Sequence, residues 1–202
     1  MNKLTERIIP TIAAIEPCYG DGGGNATRIY TTGGECLTDR RRLKSVLEAI
    51  LRFYNTTLPV MRNKFGDLMD CKHHVPLPLG RDMVLFQYKA RSPQFIHDGA
   101  SGYINLFALK DIINPGPAEK ELGAVSLVHL TGGHQLPSLY SCKTMHQRKT
   151  DANTALLHYE KVHGGYNQHS AMVRESSSQK SYCCLLCARS TCLDSIPPWK
   201  QE

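Results

Sequence analysis

Arg28-Ile29-Tyr30-Thr31-Thr32-Gly33-Gly34-Glu35-Cys36-Leu37 is the stretch that decides the fold class. Its first half is crowded with β-formers, a Gly-Gly pair interrupts it, and an apolar residue resumes after the turn. That pattern predicts a tight hairpin with both glycines at positive φ. Upstream, Ile8 to Ile15 is a second β-forming run. Gly20-Asp21-Gly22-Gly23-Gly24-Asn25 then supplies a long turn between the two. The glycines of that turn lack the Lys-Ser/Thr of a phosphate loop and the strand–loop–helix context, so they read as a hairpin turn.

Downstream, the period changes to helical. Leu43, Val46, Leu47, Ile50 and Tyr54 fall on one face, with Thr38 or Asp39 as the cap. Leu47 and Ile50 sit mid-stripe and are expected in the core. A second, short helix is expected from Pro59 to Phe65, with Thr57 as cap, Gly66 as stop, and Val60, Met61 and Phe65 inward. β-structure then returns. Val75 to Leu79 carries two prolines and suits only an edge segment. Met83 to Lys89 is the best strand in the chain, and Gly102 to Phe107 is another. Asn114-Pro115-Gly116-Pro117 is a break, and Gly132-Gly133 joins Val125–Leu130 to His134–Leu139 in a second hairpin.

The expected fold is α+β: a mainly antiparallel β core with a long helix (about 39–55), a short helix (about 59–65) and a late helix (about 149–163). One domain spans residues 1–165. The remainder, 166–202, is a low-complexity tail with Ser176-Ser177-Ser178 and a cysteine cluster. The 202 residues, 41% hydrophobic and 21% charged, suit one folded domain and exclude a disordered chain. No apolar run reaches transmembrane length, and Pro10 and Glu16 break the only N-terminal apolar stretch, so no membrane partner or signal peptide is expected. A cytoplasmic protein is the expectation. Cys18, Cys36, Cys71 and Cys142 are scattered singly, as reduced thiols are.

Charge is concentrated. Residues 39–92 hold eleven Lys/Arg against five acids, which is the whole net charge of +6. A basic middle on a neutral frame suggests a polyanion, nucleic acid first, although a solvated helix face gives the same count. No nucleophile with a plausible base and no paired acid/base set stands out, so no enzymatic activity and no cofactor are expected. His73-His74 are adjacent on an extended segment and point to opposite faces, which is poor geometry for one metal ion. Cys183, Cys184, Cys187 and Cys192 are candidate zinc ligands, but all four lie too close in sequence for a relaxed tetrahedral site.

The region 27–161 resembles the competence transcription factor (ComK) family of Gram-positive bacteria. The matching segments, in order, are Arg28–Glu35, Leu58–Gly66, Lys72–Leu79, Val84–Pro93 with Gly102–Asn105, and Thr131–Ser138. Gln87-Tyr88 stands where members often carry Phe-Pro, and Gly102-Tyr103 where many carry tryptophan. The resemblance implies a multimeric activator of DNA-uptake genes that binds A/T-rich double-stranded DNA through the minor groove, as a homo-oligomer. Arg and Lys are the side chains such a groove attracts. Arg62, Lys64, Lys72, Lys89 and Arg91 flank the matched segments and are the candidate DNA contacts. Lys143, Arg148 and Lys149 form a second cluster. The alternative is a metal- or redox-responsive protein acting through the tail cysteines.

Overall fold

The computed structural model describes residues 4–20, 22–69, 73–96 and 98–163. The chain divides at His158: residues 1–158 form one compact unit, and beyond it only the last turn of the final helix, 159–163, is described. The tail 166–202, with its four cysteines, and Lys72 lie outside the described residues.

The fold is α+β with a mainly antiparallel β core. β1 (Ile12–Tyr19), β2 (Asn25–Thr31) and β3 (Cys36–Asp39) are followed by α1 (Leu43–Phe53) and α2 (Leu58–Leu68). Then come β4 (Leu77–Gly80), β5 (Met83–Lys89), β6 (Ser101–Asn105), β7 (Leu109–Ile113), α3 (Pro117–Glu121), β8 (Ser126–Leu130), β9 (Gln135–Ser138) and α4 (Cys142–His163). One sheet runs β3-β2-β1-β6-β5-β4 and the other β7-β8-β9. The proline-bearing β4 is an edge strand, where a missing N–H costs least.

Adjacent Ile29 and Tyr30 are both buried, so the larger sheet is covered on both faces. α1 packs on β1 and β2 with Val46, Leu47, Ile50 and Leu51 buried. Tyr30, Phe86, Tyr88 and Ile104 from the larger sheet share a core with Val128, Leu130 and Leu136 from the smaller, closed by Met145 and Ala152 of α4. Glu16 of β1 is carried into this interior. Its carboxylate accepts from Tyr30 Oη (2.7 Å), Tyr88 Oη (2.9 Å) and Arg28 Nη1 (3.1 Å), so the buried charge is paired. Burial, with Glu16 beside it, pushes the Tyr88 hydroxyl well above its ordinary value.

Four local expectations change. The first helix begins at Leu43 rather than 39, and neither Thr38 nor Asp39 caps it; both belong to β3. The Asp39 carboxylate is occupied, accepting from Leu4 N (3.0 Å), Arg41 N (2.9 Å) and the Arg41 guanidinium. The second helix runs through Gly66, which is buried inside it, to Leu68, and Val60 faces solvent. The late helix starts at Cys142, where Ser141 Oγ accepts from Thr144 N, a cap masked in sequence by the preceding leucines and tyrosine. Only Gly34 of the first Gly-Gly pair has positive φ (+91°), whereas both glycines of the second pair do (+84° and +83°).

The chain contains its own repeat. Each half begins with a 3₁₀ turn (Ile9–Thr11, Leu106–Ala108) and continues into three antiparallel strands and a helix. The pairs Thr27↔Asp39, Ile29↔Leu37 and Tyr30↔Cys36 recur at one constant spacing as Ser126↔Ser138, Val128↔Leu136 and His129↔Gln135. Both first pairings slip at the same place, Ile12/Ala14 and Leu109/Asp111. Side chains follow suit. Thr27 Oγ1 donates to Arg41 O (2.8 Å), and Ser126 Oγ donates to Tyr140 O (2.7 Å). Arg41 N donates to Asp39, and Tyr140 N donates to Ser138 Oγ. Helix α2 and strands β4–β6 are the insertion between the two copies.

The copies touch at their hairpin turns. A Cβ on Gly132 (φ +84°) would lie 2.8 Å from Gly34 N and 2.9 Å from Thr31 O, whereas one on Gly133 (φ +83°) would meet nothing. Both alanine variants carry the left-handed cost of about 1 kcal/mol, and only Gly132→Ala must also force the turns apart. Chemical denaturation should show Gly132→Ala the more destabilised; equal losses would remove the turn contact from the account. A second expectation concerns acid. Hydrogen bonds from Arg41 and Leu4 hold the Asp39 carboxyl down at about 2 from its ordinary 3.8. A lowered pKa gives stability that is complete above the ordinary value and is lost as pH falls through the folded one, here about 2 kcal/mol. Asp39→Asn should therefore be less stable than wild type at pH 7, with the gap closing below about pH 3 in urea titrations.

Candidate nucleic-acid interface

Arg62 lies on the outer side of α2, exposed, one turn before the buried Phe65 and Gly66. It lines a groove of about 380 Å³ with Lys44 and Leu47 of α1, Leu58 of α2, and the strand approach Gly99-Ala100-Ser101. Leu43 and Tyr103 complete its apolar floor, and no carboxylate is among its described lining residues. Neither Lys44 nor Arg62 makes a hydrogen bond or ion pair among the described residues. Burial raises the Tyr103 hydroxyl above its ordinary value, while the hydrogen bond from Gln87 and the charge of Arg62 work against that rise. Two cations from separate helices thus overhang one apolar groove.

Lys64 is exposed on the same helix, its ammonium 5.5 Å from the Phe65 ring centre. Lys89 ends β5 half-buried. Its backbone pairs with Ser101, and its carbonyl accepts from Leu139 N (2.8 Å), joining the two sheets. Arg91 has a different place from the one its sequence position suggests. Its guanidinium lies 4.1 Å from the Tyr19 ring centre, with Nε donating to Gly99 O (2.9 Å) and Nη2 to Asn25 Oδ1 (2.6 Å). Those contacts fix a loop and leave little of the group for a groove.

The second cluster is spread along α4. Lys143 is exposed in the first turn. Arg148 and Lys149 are half-buried, with Arg148 Nη1 3.9 Å from Asp151 Oδ2. The repeat sets Lys143 at the position on α4 that Lys44 holds on α1.

Lys44 is one of the eleven basic residues of 39–92, and nothing in its sequence context marks it as a contact. The signal it lacked is tertiary: Lys44 and Arg62 meet only because α1 and α2 fold against one sheet. Of the histidines, His74 places Nδ1 2.7 Å from Gln87 Oε1 and so serves the fold. Among the described residues no group of three His, Cys, Asp or Glu side chains is placed to hold a metal ion, and Cys18, Cys36 and Cys142 are free thiols. Among them too, no helix is long and apolar enough to cross a membrane. Comparison with protein-family models, curated proteins and solved structures found no match for this chain.

Proposed function

We propose that this chain binds double-stranded DNA as a transcriptional regulator of the competence type its sequence resembles, reading A/T-rich duplex through the minor groove. The observation that carries the reading is the meeting of Lys44 and Arg62 over one groove that, among the described residues, holds no carboxylate and gives neither cation a hydrogen bond or ion pair. Unpaired cations fixed at a common mouth favour a closely spaced polyanion over an isolated charge. Arg62 is the better groove reader, since a guanidinium is less strongly hydrated than an ammonium and suits a narrow minor groove. Lys44, Lys64 and Lys143 are assigned to phosphates. Lys72, Lys89, Arg148 and Lys149 are secondary contacts, and Arg91 acts by fixing its loop. Activation of DNA-uptake genes by a homo-oligomer completes the proposal.

Fluorescence anisotropy with A/T-rich and G/C-rich duplexes over a salt series tests it. Affinity should fall steeply with salt, and each lost phosphate contact should flatten the logarithmic slope by about 0.9. Lys44→Ala should flatten the slope and weaken both duplexes alike. Arg62→Ala should reduce the preference for A/T-rich duplex. Binding indifferent to salt would overturn the DNA reading.

A further inference from the structure

The loop between β5 and β6 is a built structure with an apolar tip. Its ends are closed by Ala90 N and Arg91 N, which donate to Ala100 O (2.9 and 3.2 Å). Its base is bolted to the β1–β2 hairpin. Tyr19 Oη donates to Asp98 Oδ2 and Asn25 Nδ2 to Asp98 Oδ1, both at 2.6 Å, and Gln94 N donates back to Tyr19 Oη (3.0 Å). Arg91 stacks on the same tyrosine and holds Gly99 O and Asn25. Asp98 N donates to Phe95 O (3.0 Å), turning the tip. What this scaffold presents is Phe95, 65% exposed, and Ile96, 93% exposed.

We propose that Phe95 and Ile96 form a wedge that enters between base steps of the duplex and unstacks them, an inference that rests on the DNA reading above. Three observations select the occupant. Among the described residues the tip offers two exposed apolar side chains, far short of the roughly 800 Å² per partner that a stable protein–protein contact requires. Membrane binding scales with buried apolar area, which two side chains supply sparingly. A minor-groove wedge, in contrast, needs only one or two apolar side chains on a support stiff enough to transmit force, with cations alongside. The support is the polar clamp on Tyr19 and Asn25. The cations are Lys44 and Arg62, because the returning leg of this loop, Gly99-Ala100-Ser101, lines their groove. The arrangement also gives Arg91 its part: a positioning residue that holds the wedge rather than touching a base.

The test uses the full chain and an A/T-rich duplex carrying 2-aminopurine at successive positions, with binding followed separately by anisotropy. Wild type should raise 2-aminopurine fluorescence at one or two adjacent steps and nowhere else. Phe95→Ala with Ile96→Ala should abolish that rise while keeping the salt slope of wild type, and Phe95→Leu should keep most of it. Both side chains are exposed, so the fold is expected to survive, and circular dichroism checks it. Wild type that binds the duplex with its salt slope but unstacks no position overturns the wedge and leaves DNA binding standing. A rise that persists in the double variant also overturns it. Wild type that binds no duplex at low salt removes the DNA reading, and the wedge with it. Phe95-dependent binding to vesicles of anionic phospholipid in place of duplex assigns the tip to a membrane and overturns the proposal.

Discussion

Two backbone turns meet where no side chain fits. Gly34 and Gly132 approach so closely that a methyl on the second would strike the first's amide nitrogen. Part of what joins the two sheets gathers around this contact, besides their shared core and the Leu139–Lys89 backbone bond. Tyr30 leaves its strand beside it and meets the His134 ring edge-on at 4.9 Å. The same tyrosine reaches inward to Glu16, which Tyr88 and Arg28 also hold. A shift of the turns would therefore propagate into a buried carboxylate that tolerates no loss of donors, since an unpaired charge there costs several kcal/mol. The close approach cannot be opened cheaply, and it lies beside the core that the two sheets share.

Rigidity has a second use at the other end of the β1–β2 hairpin. Tyr19 and Asn25 flank its glycine turn and are the fixed points on which Arg91 and Asp98 are anchored. The same hairpin thus secures the smaller sheet at its base through Tyr30 and steadies an apolar loop tip through Tyr19. Its hydrogen bonds to Asp98 keep that carboxyl below the ordinary aspartate range, so the clamp stays ionised at neutral pH.

Local patterns carried the strands and hairpins into view, and they did less for the ends of elements and for the interface. Met83–Lys89 is bounded as its run of β-formers indicates, and Leu47 and Ile50 are buried as their spacing requires. Asp39 misleads as a helix cap because a carboxylate four residues before the first helical residue has other donors within reach, and Arg41 with Leu4 take it. Gly66 misleads as a stop because the helix runs on through it to Leu68, with Gly66 buried inside it. The basic groove was half legible: Arg62 stands out in a matched segment, while Lys44 acquires meaning only through the packing of α1. Arg91 is the sharpest case. Charge and position nominate it for a ligand, and only the tertiary partners Tyr19, Asn25 and Gly99 show that it is committed within the chain.

The repeat makes the molecule its own two-member sequence alignment. Thr27 and Ser126 differ by a methyl and keep the hydroxyl that the following loop carbonyl needs. Asp39 and Ser138 share nothing but an oxygen that can accept from the backbone two residues on. Val46 and Met145 are both fully buried, so apolarity is retained where shape is not. Arg41 and Tyr140 have little in common, and what is demanded there is the carbonyl rather than the side chain. Within a single chain, paired positions therefore separate what this backbone requires from what each half has been free to change. The triple arginine 40–42 in one copy, against Leu139-Tyr140-Ser141 in the other, marks charge as one of the freedoms.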